Sequence, residues 1–230
     1  MTSHGHQRED TRERILETAA KLFATRGVDK TFMRDLTKAA GVNLASVNYH
    51  FRSKDGLIEE LYDRLAGEVS EWRARELEAL LATANSAGMP PRLEDIVNCF
   101  VRPYIDQSLI PRSELLPQLI LQHRIAPTEI TDRVHKRHFD PMAQRFIFAL
   151  SMAVPGIPTV QWYWRYTFMV STVVMTVADM SSGERLFALS KGKANTTDRT
   201  ELWRYLVQHL CAALSTAALT ETEGSGGGQA

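Results

Sequence analysis

From Ser53 to Ala84 the chain reads "SKDGLIEELYDRLAGEVSEWRARELEALLATA", with no proline anywhere in it. Leu57, Ile58, Leu61, Leu65, Val69, Trp72, Leu77 and Leu80 recur through it at helical spacing. The spacing predicts one long amphipathic helix whose apolar stripe other elements must cover. It ends at "NSAGMPPR", where Gly88 and the pair Pro90 and Pro91 stop any helix.

The segments on either side are helical as well. "DTRERILETAAKLFATRG" sets Ile15, Leu16, Ala19, Ala20, Leu22 and Phe23 on one broad face, with Gly27 as its stop. "DKTFMRDLTKAAG" follows, with Thr31 as the expected N-cap, Asp35 in the early turns and Gly41 at the end. "NLASVNYHF" is a third, short helix capped by Asn43. Beyond the proline pair, helices are expected over 93–107, 113–124, 128–153, 159–180 and 198–219. Pro111, Pro127, "PGIP" at 155–158 and the stretch 181–197 separate them. No alternation with hairpin turns and no repeat occurs. The expected fold is all-α: a three-helix N-terminal unit joined by one long helix to a larger helical body. Residues 1–9 are expected as a disordered tail, 10–56 as the N-terminal domain, 57–220 as the body and 221–230, with its "EGSGGGQA", as a second disordered tail.

Composition narrows the function classes. Lys plus Arg equals Asp plus Glu at 27 each, so net charge names no partner. Cys99 and Cys211 are the only cysteines, which excludes a disulfide framework and fits a reducing cytoplasm. "MTSHGHQRED" has no apolar core of a signal peptide. The apolar run Val160 to Met180 contains Arg165 and scattered hydroxyl residues, so it is expected as a buried or interface helix and not a membrane span.

The stretch "KAAGVNLASVNYHF" carries the functional signal. As a helix-turn-helix, Leu36 and Ala40 face inward, Gly41 makes the turn, and Val42 and Val47 pack the second helix on the first. That helix then presents Leu44, Ala45, Ser46, Asn48, Tyr49 and His50. Small residues at its start allow close approach to base edges, and Ser46 and Asn48 can bond bases or phosphates. Tyr49 and His50 can donate to phosphate oxygens, and Lys54 opens the next helix, where a cation and free N–H groups favour an anion. Phe23, Phe32, Leu36, Val47, Phe51, Leu57 and Leu61 are the expected core of this unit. Taken alone, the stretch also fits two ordinary helices meeting at a glycine.

The whole ordered pattern goes further. "ILETAAKLFATRGVDKTFMRDLTKAAGVNLASVNYHFRSKDGLIEELY" resembles the N-terminal domain of TetR-family (tetracycline-repressor-like) transcriptional regulators over Asp10 to Tyr62. The shared marks are the Ala19–Phe23 run, Gly27 followed by Thr31, the "AAGV" turn, Tyr49-His50-Phe51 and Ser53-Lys54. The resemblance implies phosphate contacts from Thr31, Tyr49, His50 and Lys54, and base or near-base contacts from Asn43, Leu44, Ala45, Ser46 and Asn48. Two departures stand out. Ala45-Ser46-Val47-Asn48 replaces the usual Gly-Thr-Leu-Tyr, and Thr37 replaces a usual Ala. Asn48 offers an amide where the family has a phenol, which leaves the operator sequence open. Residues 8–60 hold ten Lys or Arg against nine Asp or Glu, a weak balance that suits a small reading head used twice.

For the body, the resemblance implies an effector bound between helices and a homodimer formed through the last two long helices, here 159–180 and 198–219. Both are apolar over more than one face, as an additional partner or a core requires. Trp162, Tyr166, Val170, Val174, Trp203, Leu206 and Leu210 are the expected interface; burial inside one subunit is the alternative. The expected effector-binding residues are Phe100, Tyr104, Leu116, Leu119, Ile120, His123, Phe139, Met142, Phe146, Met169 and Met175, with plain core as the alternative. Few charges interrupt them, which points to an apolar or amphipathic ligand. "VNYHF" and the C-terminal layout also resemble the fatty-acid-responsive, PsrA-like branch of the family, which implies a fatty acid or acyl-CoA. His135 and His138 have metal-ligand spacing but sit in a polar, solvated pattern, so neither a metal nor a cofactor is expected. No nucleophile–base order, phosphate loop or cysteine pair supports an enzyme. The expected function is a homodimeric, ligand-responsive regulator, a repressor, on a palindromic double-stranded DNA operator. The rival is a helical small-molecule binder or enzyme whose helix-turn-helix no longer meets DNA.

Overall fold

The computed structural model describes residues 3–180, 184–195 and 197–219, and among them there are helices and turns but no strand. The N-terminal unit comprises α1 (Ser3–Arg26), α2 (Met33–Ala40) and α3 (Leu44–Phe51). Helix α1 begins well before Asp10, so residues 3–9, expected as a tail, continue it. No proline interrupts that polar stretch, and extending an existing helix adds one hydrogen bond per residue. The tail at 221–230 lies outside the described residues.

Each boundary has a local cause. Gly27 ends α1 at φ 81° and Gly41 ends α2 at φ 63°, a left-handed conformation that only glycine adopts readily. Asn43 caps α3, its Oδ1 accepting from the Ser46 N–H at 2.8 Å. Helix α2 departs from expectation. Its N-cap is Phe32, which supplies no side-chain bond, while the Thr31 hydroxyl turns back to the Gly27 carbonyl at 2.8 Å. Thr31 is therefore buried and Phe32, expected in the core, is 67% exposed.

Helix α4 (Lys54–Ser86) starts at the cap Ser53 and runs 33 residues, roughly 50 Å at 1.5 Å per residue. Its first turn sits on α3 through Leu57, and Leu57, Leu61, Tyr62, Leu65, Val69 and Leu77 form one buried stripe along it. Around it pack α5 (Leu93–Ile105), α6 (Leu115–Ile125), α7 (Glu129–Val134) and α8 (Asp140–Ala153). The expected helix over 128–153 runs through as α7 and α8, with a π-helical segment, His135–Phe139, joining them without a break. Helix α9 (Thr159–Asp179) lies on α6 and α8, and α11 (Arg199–Leu214) lies on α5. A short α10 (Glu184–Leu189) occupies the stretch expected as a plain connector. One continuous apolar core runs from Ile15 in α1 to Leu214 in α11.

Within that core sits Arg73 of α4, 2% exposed. Pro103 interrupts the ladder of α5, and the Arg73 Nε donates to the neighbouring Phe100 carbonyl at 3.1 Å. Its guanidinium also stacks 3.9 Å from the Phe100 ring centroid and 4.6 Å from that of Tyr104.

Candidate functional site

The helix-turn-helix presents its second helix to solvent. Val47 and Phe51 anchor α3 inward, while Leu44, Ala45, Asn48 and Tyr49 are exposed on the other side. Tyr49 is 67% exposed, packed edge-on to His50, with the Arg8 guanidinium 5.7 Å from its ring. Ser46 and His50 are half-buried, and the Ser46 hydroxyl donates to the Asn43 Oδ1 at 3.0 Å. Two of the expected phosphate contacts are placed otherwise. Thr31 is 1% exposed, with its hydroxyl engaged by Gly27, and is corrected from a contact to a turn residue. Lys54 sends its Nζ to the Val28 carbonyl at 2.7 Å, tying the start of α4 to the turn after α1.

Several acids of this near-neutral unit are paired. Glu13 and Glu60 are engaged by Arg64 and Arg12 in the α1–α4 seam, and Asp35 lies 3.8 Å from Arg26. Arg34, Lys38 and Arg52 are exposed and, among the described residues, form no ion pair. Sequence reasoning passed over these three cations, because counting charges along the chain does not show which acids are paired.

The expected effector residues divide. Phe100, Tyr104, Leu116, Leu119, Ile120, Met142, Phe146 and Met169 are buried in the continuous core, with Phe100 edge-on to Phe146 at 5.1 Å; Met175 is exposed. A roomy cleft lies elsewhere. A cleft of about 1030 Å³ opens between the distal half of α4, α5 and α11, with Trp72, Leu80, Cys99 and Trp203 among its walls and Arg92, Asp95 and Arg102 at its rim. The Trp203 indole donates to the Asn98 Oδ1 at 2.9 Å, which holds α11 against α5. Burial pushes the Cys99 thiol up to about 12, so it is an apolar wall and not a nucleophile.

His123 and Phe139 are half-buried beside a second, smaller cavity, where Tyr62, His123, His135 and Phe139 form an aromatic cluster. His135 Nε2 lies 2.9 Å from the Tyr62 hydroxyl, and His138 Nε2 lies 2.9 Å from Asp63 Oδ1. The two histidines with metal-ligand spacing thus turn to separate partners on α4.

The expected dimer residues also divide. Trp162, Val174, Leu206 and Leu210 are buried inside one protomer, Tyr166 and Val170 are half-buried on the same side, and Trp203 lines the large cleft. The outward face of α9 is a different stripe: Val160, Tyr163, Trp164, Phe168 and Met175, with Trp164 61% exposed. Phe148 and Met152 of α8 are exposed as well. The correction is one of helix phase. Both faces of α9 are apolar, and the sequence alone did not say which one faces the protomer's own core. No helix among the described residues is long and apolar enough to cross a membrane.

Comparison with known proteins agrees with this architecture. Residues 15–61 match the family model described as bacterial regulatory proteins, tetR family, and residues 98–213 match the tetracyclin repressor-like C-terminal domain. The chain is 37% identical over 70 residues to the HTH-type transcriptional regulator AcrR of Shigella flexneri, covering 30% of each protein. It is 37% identical over 86 residues to the HTH-type transcriptional repressor KstR2 of Rhodococcus jostii, covering 33% of this chain and 42% of that one. The chain therefore spans less than half the length of these curated relatives. Among solved structures, a TetR-family regulator from Mesorhizobium loti superposes with a TM-score of 0.57 at 14% identity, covering 90% of this chain and 94% of the other. A linker-substituted HlyIIR mutant superposes with a TM-score of 0.56 at 18% identity, covering 91% and 98%. The C-terminal model alone spans half of the 230 residues, so the chain belongs to the TetR family of bacterial regulatory proteins.

Proposed function

We propose that the protein is a homodimeric transcriptional repressor that holds a palindromic DNA operator and releases it when a small amphipathic effector binds. The observation that carries this is the outward face of α3, where Leu44, Ala45, Asn48 and Tyr49 are exposed on a helix fixed by the Asn43 cap and the Gly41 turn. Such a helix fits the major groove, with its first turn at base edges and its flanking cations at phosphates. Arg34, Lys38 and Arg52 are exposed cations suited to the second task, alongside Tyr49 and His50.

One reading head of eight residues gives weak affinity, and two related by a two-fold axis read a palindrome. The exposed stripe on α9 is where the second copy docks, because an apolar row of this length left in water is unfavourable. The effector occupies the α4–α5–α11 cleft, whose size suits a lipid-like ligand such as a fatty acid or the acyl part of an acyl-CoA. It acts through α4, the one helix that both lines the cleft and carries the helix-turn-helix. The protein works in the cytoplasm, by binding and not by turnover.

The test is selection of sites from a random DNA pool, followed by affinity measurement across salt. A palindromic consensus whose affinity falls steeply with salt is expected. Weak binding with no preferred site would favour a small-molecule binder with an idle helix-turn-helix. Adding a long-chain fatty acid or acyl-CoA should quench the indole fluorescence of Trp72 and Trp203 and lower operator affinity.

A further inference from the structure

Tight joints link α1, α2, α3 and α4 in turn, and the first two use glycine. Gly27 after α1 and Gly41 after α2 have φ of 81° and 63°, a region in which a side chain is strained. The joint between α3 and α4 is made instead by Arg52, at φ 67° and ψ −45°. Across it the Ser53 N–H donates to the Phe51 carbonyl at 2.7 Å. This is a three-residue γ-turn of the strained hand, rare for a residue that carries a Cβ. Arg112 and Lys191 also have positive φ, both in turns of the body. In the helix-turn-helix unit, Arg52 is the one described residue other than glycine that does.

Strained backbone persists where its surroundings enforce it, and such outliers cluster at working sites. Here α4 enforces it, since a Cβ on Gly56 would stand 2.1 Å from the same Phe51 carbonyl. The joint must therefore be tight, but tightness does not call for arginine. Glycine would take this turn freely, as it does at the other two joints. What Arg52 adds is its side chain, which is exposed. Its N–H donates to the Asn48 carbonyl at 2.9 Å, so position 52 continues the helical spacing of α3. Leu44, Asn48 and Arg52 are spaced four apart and form one row on the exposed side of that helix.

We propose that Arg52 is a DNA-positioning residue held in a strained turn that destabilises the free protein. The start of the row meets base edges, and its far end reaches the duplex backbone beside the groove. There the Arg52 guanidinium takes one phosphate through two N–H groups and fixes how deep α3 sits. A glycine at this joint would relieve the turn and lose the contact. Stability and DNA affinity are therefore opposed at this one position. The phosphate contact rests on the operator reading above; the strain does not.

Variants of the full chain separate strain from charge, each read by its urea midpoint and by its affinity, across salt, for the duplex selected from the random pool and for a scrambled one. Arg52→Gly should raise the midpoint, because relief of the turn outweighs the extra freedom of glycine in the unfolded chain. It should weaken both duplexes alike, by about fivefold or more, and make the log–log salt slope shallower by about one for each copy bound. Arg52→Ala keeps the strain and loses the cation, so it should show the same loss of affinity and slope at the wild-type midpoint. Arg52→Lys keeps the charge without the planar fork, and should hold the slope with an intermediate affinity. A midpoint for Arg52→Gly no higher than that of Arg52→Ala would overturn the strain. Wild-type affinity and slope in Arg52→Ala, or a loss confined to the selected duplex, would overturn the phosphate contact. A wild type that binds neither duplex would sink the operator reading and the contact with it, while the two midpoints would still decide the strain.

Discussion

Lys54 shows how one contact can change the meaning of a motif. A lysine at the start of α4 suits phosphate, yet its Nζ donates to the Val28 carbonyl at 2.7 Å. A charge-assisted bond of this kind, half-buried, contributes about 1 kcal/mol. Lys54→Ala should therefore lower the stability of the DNA-free protein by that amount, read as a lower denaturation midpoint, as well as weaken DNA binding. An unchanged midpoint with weakened DNA binding would restore a pure phosphate role. Titration at the aromatic cluster gives a second outcome. His123 and His135 have folded pKa values below those of the unfolded chain, so the unfolded state takes up protons first. Their contribution is full above about pH 6.5 and declines as pH falls below it. Thermal melts from pH 7.5 to 5 should show the decline, and His123→Gln should flatten it. Neither contact was legible in the sequence. Val28 and Lys54 are 26 positions apart and His135 and Tyr62 are 73 apart, and no periodicity links them. Asn43 was legible because a cap is a local event, bonded three residues on at Ser46.

At the scale of elements, the joint between α3 and α4 sets the angle of the reading helix. Gly56, in the first turn of α4, lies so close to α3 that an added Cβ would stand 2.1 Å from the Phe51 carbonyl oxygen. That neighbour is backbone, so α3 and α4 would have to part. Gly56→Ala should cost about 1–3 kcal/mol of stability, the usual penalty for overpacking. It should lower operator affinity further by tilting α3, and Gly56→Ser should behave alike. A melt within a degree of wild type would show that the joint yields. Helix α2 offers the opposite case. Phe32 caps it with no side-chain bond, so Phe32→Asp should raise stability by about 1 kcal/mol, read as a higher urea midpoint. Helix identity and order were legible here because apolar spacing, Gly27, Gly41 and the proline pair are all in the sequence. The cap of α2 and the π turn were not. Each depends on how a neighbouring segment turns, as Thr31 does toward Gly27.

At the scale of the molecule, the proposed dimer turns on which face of α9 would meet a second copy. Trp162, Met169, Val173, Val174 and Val177 are buried in the protomer's own core, while Val160, Tyr163, Trp164, Phe168 and Met175 form the outward stripe. The two faces of the same helix make opposite predictions. A charge at Val174 is buried without a counter-charge, which is strongly destabilising, so Val174→Glu should unfold the chain. Trp164→Glu with Phe168→Glu places charges on a face that is already in water in the monomer. That protein should keep its helical circular dichroism and cooperative melt, and sediment as a monomer, because like charges then meet across the two-fold axis. Its operator affinity should fall by about 100-fold or more, since a single reading head loses the effective concentration supplied by its twin. Sedimentation of the double variant as a dimer would move the interface to the exposed face of α11, around Tyr205 and His209. Folding of Val174→Glu as a monomer would return it to the buried stripe.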